Sequence, residues 1–588
     1  MARATGCNRI SASKAAGILR ALTLSAAAIT ATITGTIGPA SAQDDGRWFA
    51  DQGDGTYRNP VLAGDYSDPD VVRVGEDYYL TSSSFTNVPG LPILHSRDLV
   101  NWTIIGHALP RVLPDEHYRT PRRGGGVWAP AIRYHDGRFL IYYADPDRGV
   151  FVVTARDPRG PWSEPALVDD TRGAIDPAPF WDEDGTAWLV HAFANSRAGK
   201  SNIIVLKRLS ADGARALDSG RVIIDGNAMG PVATGLGPRP WQTTEGPKLY
   251  KREGWYYVFA PSGSVKGGWQ GVFRSRTIEG PYEGRNVLDQ GRTAINGPHQ
   301  GAWVTTLSGE DWFIHFQDRD SYGRIVHLEP MAWKKGWPVI GADSDGDGRG
   351  EPVARHRKPA APRQEIATPV ADDVFDGPLS LAWQWGSNPG ADWLGLSDGW
   401  LRLKSVSGSA DLYEVGNVLS QKLPALSFTA TTLMRFEPLR EGERAGLAFH
   451  GMNYGWIGLE RGADGIRIAQ RSKRDIAPGA AESLSAGPVF TGERIWLRLF
   501  AAPVEIKVPP PDFSPYWPSM LRETHARVQF SYSLDGKTFT PLGAVFESRP
   551  GRWTGAQIGL FAQAASGTPA ATATTVGHAD FDWFRITE

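Results

Sequence analysis

The first half of the chain repeats one arrangement of apolar and polar positions five times. In each copy, a short apolar run leads into a charged turn that contains a glycine, and an aromatic, β-branched run follows the turn. Such short runs on either side of a glycine turn predict β-hairpins rather than helices. The five predicted hairpins lie at 71–84, 131–144, 179–192, 247–260 and 303–316.

A second hairpin is predicted after each of the first five. Two hairpins make a four-stranded sheet, and five such sheets in succession predict a five-bladed β-propeller. A β-sandwich could also use ten hairpins, but it would not require this paired period. We therefore expect an all-β propeller, the catalytic domain, over residues 43–352. The second hairpins are centred on 95–102, 154–162, 207–213, 274–282 and 328–337.

The C-terminal part of the chain shows a different organisation. Residues 353–369 are rich in proline and basic residues and have no periodicity, which predicts a semi-rigid linker. Beyond the linker, alternating strand-like runs recur without the paired spacing of the first half. We expect residues 370–588 to form a β-sandwich of the jelly-roll type. The clearest of its strand-like runs are 427–436, 444–451, 494–500 and 527–539.

The first 42 residues are predicted to be a targeting segment. Their four basic residues come with no acidic residue, and an apolar stretch leads to Pro39-Ala40-Ser41-Ala42. This order is typical of a secretory signal peptide, with cleavage after Ala42. A membrane anchor is the alternative, although several threonines and glycines weaken the stretch as a span. Cleavage would remove Cys7, the one cysteine, and leave a secreted or periplasmic protein without disulfides.

Composition and charge narrow the functional class. Hydrophobic residues make up 41% of the chain and charged residues 21%, which are the proportions of a folded globular protein. The 68 glycines, 43 prolines and 22 tryptophans suit turn-rich β-structure with aromatic surfaces. A net charge of −2 does not favour binding to a nucleic-acid backbone. We expect no nucleic-acid partner and, after cleavage of the signal peptide, no membrane partner.

Counting back from the turn glycine of each first hairpin brings five chemically capable residues to nearly one position. Trp128, Asp176 and Glu245 lie nine residues before their glycines, Asp68 lies seven before, and His299 ten before. The innermost strands of a propeller surround its axis, so equivalent positions of different blades converge there. Each Asp-Pro pair could by itself be an ordinary turn. Independent turns have no reason to align, however, so the alignment predicts a functional cluster at the axis.

Three carboxylates beside aromatic side chains match the hydrolysis of a glycosidic bond. That reaction uses one carboxylic acid to protonate the leaving oxygen and one carboxylate on the opposite side of the bond. Burial and a nearby anion keep such an acid protonated near neutral pH. A third carboxylate could be that anion and so raise the pKa of the acid. Aromatic faces would pack against the C–H surfaces of a sugar.

Seven segments in a fixed order carry a resemblance to a known family, and together they are far more specific than any one motif. They resemble glycoside hydrolase family 43 over about residues 57–350, and the chain beyond them resembles the concanavalin-A-like C-terminal domain of its β-xylosidases. The segments are RNPVLAGDYSDPDVVRVGEDYYLTSSSF (58–85), HSRDLVNW (95–102), VWAPAI (127–132), IDPAPFWDEDG (175–185), TEGPKLY (244–250), NGPHQGAW (296–303) and GRIVHLEPMAW (323–333).

The resemblance implies a role for each of the three aligned carboxylates. Asp68 would be the general base that activates water, and Glu245 would be the general acid. Asp176 would be the modulator that raises the pKa of the acid and orients it. Asp65 and Asp70 flank Asp68 in the same GDYSDPD run, so a shift of register there would bring another aspartate to the position of the base.

The resemblance also implies binding roles for four further side chains. Phe85 and Trp128 would wall the subsite for the terminal sugar, and Arg324 would donate a charged hydrogen bond to a sugar hydroxyl or to the modulator. His299, counted with the substrate-binding residues, matches the axial histidine that binds calcium in many relatives, directly or through water. Structural calcium at the propeller axis is therefore the one cofactor that the resemblance implies.

These observations together predict an exported, inverting exo-glycosidase. It would hydrolyse terminal β-D-xylosyl or α-L-arabinofuranosyl residues from plant cell-wall oligosaccharides of xylan, arabinoxylan and arabinan. One alternative is a glycosidase of another specificity on the same fold, for galactan or fructan, and another is a non-catalytic propeller that binds glycans. The expected partner is an oligosaccharide or polysaccharide. The sequence leaves the preferred pentose, the linkage and the oligomeric state open.

Overall fold

The computed structural model describes residues 47–406, 408–409, 411–475, 480–509, 521–565 and 576–587. The predicted signal peptide at 1–42, with Cys7, lies outside the described residues. The described chain is almost entirely β-structure. Its helices are the short α-helices Asn195–Ala198 and Ser264–Gly267 and the 3-10 turns His117–Arg119 and Asp320–Tyr322. No helix in this part of the chain has the length and apolar character needed to cross a membrane.

Five four-stranded antiparallel sheets follow one another along the first half of the described chain, each built from strands in sequence order. This arrangement confirms the predicted five-bladed propeller. The strands, from the innermost outward, are Asp70–Val74, Asp77–Thr81, Gly90–Ser96 and Thr103–Leu109 in blade 1; Trp128–His135, Arg138–Asp145, Gly149–Ala155 and Ala166–Asp169 in blade 2; Ala174–Trp181, Ala187–Phe193, Ile203–Leu209 and Arg221–Asp225 in blade 3; Lys248–Arg252, Trp255–Ser262, Trp269–Ser275 and Glu283–Asp289 in blade 4; and His299–Thr305, Asp311–Asp318, Arg324–Lys334 and Trp337–Ile340 in blade 5.

Apolar side chains packed between neighbouring blades close the propeller. The first and last blades share one buried cluster, in which Val71 and Leu80 of blade 1 join Trp312 and Ile314 of blade 5. Because alternate residues of a strand face opposite sides, each blade presents apolar positions to both of its neighbours. The burial of these faces fixes the inner strands around the axis.

The segment at 353–369, predicted to be a linker, runs along the propeller. Its strand Arg355–Arg357 pairs with Thr56–Arg58 at the start of the described chain. Lys358 forms ion pairs with the buried Asp51 and Asp98. The prolines and basic residues of this segment therefore accompany specific contacts rather than a free tether.

The C-terminal part is a sandwich of two antiparallel sheets, which confirms the predicted second fold. Alternate residues such as Leu497, Leu499 and Ala501 are buried between the sheets. The strands of the seven-stranded sheet, in sheet order, are Gln384–Trp385, Val418–Lys422, Gln557–Gln563, Arg444–His450, Tyr454–Gly462, Gly465–Lys473 and Ser483–Val489. Seven strands of the eight-stranded sheet, in sheet order, are Leu394–Ser397, Trp400–Lys404, His578–Thr587, Phe428–Glu437, Ile495–Val508, Leu521–Ser533 and Thr540–Pro541. Its eighth strand, Phe546–Glu547, also pairs with Leu521–Ser533. A separate small hairpin joins Val232–Thr234 to Gly237–Arg239.

The propeller and the sandwich pack against each other in one compact unit. The backbones of Val88 and Trp385 exchange two hydrogen bonds, of 2.9 and 2.7 Å. The hydroxyl of Tyr322, in blade 5, donates to the carbonyl oxygen of Leu426 at 2.7 Å. One hydrophobic cluster contains side chains of both parts. The sandwich is thereby held where its loops reach the mouth of the propeller.

Candidate active site

The start of every innermost strand carries the same backbone feature. A residue with positive φ stands at this point in all five blades, and such a conformation is uncommon outside glycine, although aspartate tolerates it better than most residues. Three of these strands also contain an irregular register there, a feature that re-aims neighbouring side chains. The residues are Asp68 (55°), Ala129 (32°), Asp176 (56°), Gly246 (62°) and Gln300 (34°).

Asp68 is buried and is surrounded by hydrogen-bond donors. The hydroxyls of Ser67 and Ser83 donate to its Oδ2 atom at 2.8 and 2.5 Å. The Nη1 atom of Arg324 donates to Oδ1 at 3.1 Å. These contacts leave the carboxylate oriented by three side chains and acting as an acceptor, which is the state that a general base requires.

Asp176 lies deeper and is held mainly by blades 4 and 5. Its Oδ2 atom accepts the backbone N–H of Gly246 at 2.7 Å and the side-chain amide of Gln300 at 3.2 Å. Burial, together with the negative charge of Asp68, raises the pKa of Asp176 to about 7. The bond to Gly246 places Asp176 beside the peptide that carries Glu245.

Glu245 is the more accessible of the three carboxyls, with 24% of its side chain exposed. Burial raises the pKa of Glu245 well above its usual range, and the charges of Asp176 and Asp68 raise it further. A carboxyl in this setting favours its protonated form and faces solvent from which a substrate could approach. The site therefore brings together a proton donor, a carboxylate acceptor and a third carboxyl that influences the donor.

Aromatic side chains from both parts of the chain stand at the mouth. The rings of Phe85 and Trp128 meet edge to face, with centroids 6.3 Å apart. The indole of Trp553, from a sandwich loop, meets Trp128 in the same geometry at 6.3 Å. The guanidinium of Arg324 also lies 5.8 Å from the Trp553 ring. Phe85 and Trp128 thus lie together, as the resemblance implies, and Trp553 extends their surface.

The side chain of Arg324 bonds Asp68 and Ser67, which are not among the partners that the resemblance implies. It was expected to bond a sugar hydroxyl or the modulator Asp176. In the described structure its hydrogen bonds go to Asp68 and to Ser67, the latter at 2.8 Å. The reason is topological, because Arg324 begins the third strand of blade 5, which neighbours blade 1. Among the described residues the guanidinium thus bonds the candidate base rather than Asp176, and its bond to a sugar hydroxyl stays a prediction.

His299 is buried at the start of the first strand of blade 5. Its Nε2 atom lies 3.5 Å from Oε1 of Glu245, and neither ring nitrogen has a hydrogen-bond partner within the described residues. Burial, with the charge of Arg324, lowers the pKa of His299 to about 3, so the ring is neutral. A neutral, unpartnered imidazole is suited to a ligand or a water at the axis.

The surroundings of His299 fit a calcium ion poorly. Calcium takes six to eight oxygen ligands, and imidazole is not one of its usual partners. Within the described residues, His299 belongs to neither group of three side chains close enough to share a metal. The carboxyl nearest to it, Glu245, carries a raised pKa and so favours its protonated form. The side chains around His299 therefore do not by themselves supply the oxygen ligands of a calcium ion, and water molecules would have to supply most of them.

Several side chains of the site escaped prediction from the sequence. Ser83 and Gln300 bond the candidate carboxyls, and both lie in segments that carry the resemblance, 58–85 and 296–303, but neither was assigned a role there. Lys248 is buried near Asp176 and Asp68, and burial lowers its pKa. Trp553 comes from the other fold, in a run without periodicity. For Gln300 the signal was present, since it directly follows the aligned His299.

Comparison with family models gives two matches that divide the chain at the same place as the two folds. Residues 57–338 match the model of glycosyl hydrolases family 43. Residues 372–587 match that of the beta xylosidase C-terminal concanavalin A-like domain. The first match contains all the residues that the sequence proposed for the site.

Similar proteins span nearly the same length. The chain is 37% identical over 530 residues to a putative beta-xylosidase of Xylanibacter ruminicola, covering 90% of both chains. It is 31% identical over 596 residues to a beta-xylosidase of Formosa agariphila, covering 92% of this chain and 91% of the other. It is also 30% identical over 444 residues to a non-reducing end alpha-L-arabinofuranosidase of Bacteroides ovatus, covering 71% of this chain and 79% of the other.

Among solved structures, a xylan beta-1,4-xylosidase from Bacillus halodurans superposes with a TM-score of 0.74 at 25% identity, covering 90% of this chain and all of the other.

Proposed function

The chain belongs to glycosyl hydrolase family 43, and on that premise we propose that it removes terminal β-D-xylosyl or α-L-arabinofuranosyl residues from oligosaccharides. Xylan, arabinoxylan and arabinan of the plant cell wall would be the source of these substrates. The observation that carries the proposal is that one site contains Glu245, which favours its protonated form and interacts electrostatically with Asp68, and Asp68, which accepts hydrogen bonds from its neighbours. The names of the similar proteins support the choice of pentose.

The proposed reaction is a single displacement that inverts the anomeric carbon. Asp68 would accept a proton from a water molecule while the oxygen of that water bonds to the anomeric carbon. Glu245 would give its proton to the glycosidic oxygen as the bond to the leaving group breaks. Asp176 would keep the pKa of Glu245 high in the free enzyme through its negative charge. Arg324 would hold Asp68 in place through this step.

The proposed exo action follows from the pocket wall. Phe85 and Trp128 line one side of the mouth, and Trp553 from the sandwich stands against Trp128. Flat apolar rings suit the C–H faces of a single sugar ring. A wall at this point would stop a chain from passing through the site, so that cleavage takes place at a chain end.

Export and calcium are further parts of the proposal. The basic, then apolar, N-terminal segment supports export to the periplasm or the medium, with cleavage after Ala42. The unpartnered ring nitrogens of His299 support a structural calcium ion whose ligands would be largely water molecules. Dialysis against a chelator followed by calcium addition, with the melting temperature of wild type and His299→Gln as readout, tests that ion.

The first experiment compares hydrolysis of aryl β-D-xyloside, aryl α-L-arabinofuranoside and linear xylo-oligosaccharides. Wild type should cleave at least one aryl pentoside and shorten the oligosaccharides by one sugar at a time. Glu245→Gln should lose the activity on the xylo-oligosaccharides, whose leaving oxygen needs a proton. Glu253→Gln is the matched control, because Glu253 sits in the hairpin turn of the same blade with 67% of its side chain exposed. Cleavage of galactan or fructan alone would contradict the proposed substrate, and xylan binding without cleavage would favour a glycan-binding propeller.

A further inference from the structure

One buried carboxylate, that of Asp65, joins the propeller to the sandwich beside the candidate active site. Only 7% of Asp65 is exposed. Its Oδ1 atom accepts the backbone N–H of Arg324 at 2.8 Å, and its Oδ2 atom accepts the backbone N–H of Gly555 at 2.8 Å. Arg324 holds the candidate base, and Gly555 ends the sandwich loop 549–555. The two oxygens of Asp65 therefore fix the two partners relative to each other.

The packing around this bridge leaves no room for a shift. A Cβ atom on Gly323 would lie 2.4 Å from Cγ of Asp65, and one on Gly555 would lie 2.7 Å from the backbone nitrogen of Gly323. Such separations are shorter than real Cβ contacts allow. Asp65, Gly323 and Gly555 thus form a close backbone junction that only glycine permits at two of its three positions.

The loop that this junction holds carries Trp553 in a strained conformation. Trp553 has a φ of 66°, which a bulky side chain rarely adopts. Such strain persists only where the surroundings over-determine the backbone. Trp553 is 47% exposed, so burial alone does not hold it. Besides the contacts of its ring with Trp128 and Arg324, the bonds of the loop backbone constrain it.

Those bonds are few. Near the start of the loop, the N–H of Arg549 donates to the side chain of Asn453 at 2.7 Å, and the carbonyl oxygen of Pro550 accepts the N–H of Met452 at 2.8 Å, both within the sandwich. At its end, Gly555 bonds Asp65 and the N–H of Ala556 donates to the carbonyl oxygen of Ser321. Asp65 is thus the propeller side chain that bonds Gly555, two residues after Trp553.

We propose that Asp65 is a positioning residue that sets the distance between the Trp553 wall and the Arg324–Asp68 pair. The inference rests on the proposed function, since it concerns the pocket for the terminal sugar. Asp65 does not touch the substrate. It acts through Gly555 on Trp553, and the enclosure of the sugar depends on both of its hydrogen bonds being present.

The test is a double-mutant cycle of Asp65→Asn and Trp553→Ala. Asparagine keeps the size of the side chain but accepts only one of the two facing N–H donors. For an aryl pentoside, each single variant should raise KM about tenfold with kcat changed less than about threefold. The double variant should be no worse than Trp553→Ala alone, because both changes remove the same wall. Effects that multiply, or a loss confined to kcat, would overturn the proposal.

A second readout does not depend on catalysis. Hydrogen exchange in residues 551–556 should quicken in Asp65→Asn, while exchange in the innermost strands stays unchanged. Asn388→Ala is the matched control. Its amide donates to the carbonyl oxygen of Val112 at 2.8 Å, so it removes another propeller–sandwich contact without touching the loop. Loss of stability alone is not the readout, because Asp65 also interacts electrostatically with Lys422.

The two readouts separate the possible failures. If wild type hydrolyses none of the pentosides but the loop loosens in Asp65→Asn, the proposed function fails and the anchoring stands. If wild type is active but the loop exchanges equally in wild type and Asp65→Asn, the role of Asp65 is contradicted.

Discussion

The Nη1 atom of Arg324 donates to Oδ1 of Asp68 at 3.1 Å, across the junction between the last blade and the first. The propeller is therefore closed at the candidate base by an ion pair of two buried side chains, as well as by apolar packing. Breaking one member of such a pair leaves the other charge buried without a partner.

Arg324→Ala should lower kcat for an aryl pentoside about a hundredfold, because Asp68 loses the donor that orients it. Arg324→Lys should recover part of the rate, since it restores the charge but not the planar geometry. Steady-state kinetics of the two variants check this. Equal activity of wild type and Arg324→Ala would show that the ion pair has no part in the reaction.

The alkaline limb of the pH profile should follow Glu245. Its raised pKa favours the protonated form that a general acid needs, and activity should fall as the pH rises through that pKa. Removing the charge of Asp176 removes one cause of the raised value. The alkaline limb of kcat/KM in Asp176→Asn should therefore move to lower pH. A limb that stays in place or moves upward would contradict the assigned coupling.

The same two carboxyls should make the fold less stable as the pH rises. A carboxyl with a raised pKa binds its proton more tightly in the folded state than in the unfolded state. The free energy of unfolding therefore decreases as the pH rises above the pKa of the unfolded state. Asp176→Asn should then melt at a higher temperature than wild type at pH 8, and at nearly the same temperature at pH 4. Thermal unfolding at the two pH values measures the difference. A variant less stable than wild type at pH 8 would contradict it.

The stereochemistry of the product tests the proposed single displacement. Hydrolysis of an aryl β-D-xyloside should first release α-D-xylose, which then mutarotates to the equilibrium mixture. Proton NMR during the first minutes of a fast reaction distinguishes the two anomers. Initial release of β-D-xylose would indicate a covalent intermediate and would exclude a water-activating role for Asp68.

The sequence predicted much of the fold because short glycine turns keep each hairpin in a countable register. That count placed Asp68, Trp128, Asp176, Glu245 and His299 together at the axis. It did not show which of these residues has the positive φ. Asp68 and Asp176 themselves adopt it, whereas Trp128, Glu245 and His299 each come one residue before the residue that does. No turn residue in the sequence marks that offset.

The wall of the pocket was beyond such reasoning. Trp553 belongs to a loop of the sandwich, and its contact with Trp128 depends on how two separate folds pack. Asp65 was visible only as a neighbour of Asp68 in the GDYSDPD run. Its partner Gly555 lies 490 residues away in the chain, so no local pattern could connect them.

The assignment of Glu245 as the proton donor is the central claim, and the dependence of rate on the leaving group tests it most directly. An aryl pentoside with an acidic phenol needs little protonation as it leaves, whereas xylobiose needs full protonation. Glu245→Ala should therefore lose about a thousandfold or more of the rate on xylobiose, but only a small factor on 2,4-dinitrophenyl β-D-xyloside. An equal loss on both substrates would contradict the account, because it would show that Glu245 contributes something other than a proton to the leaving group.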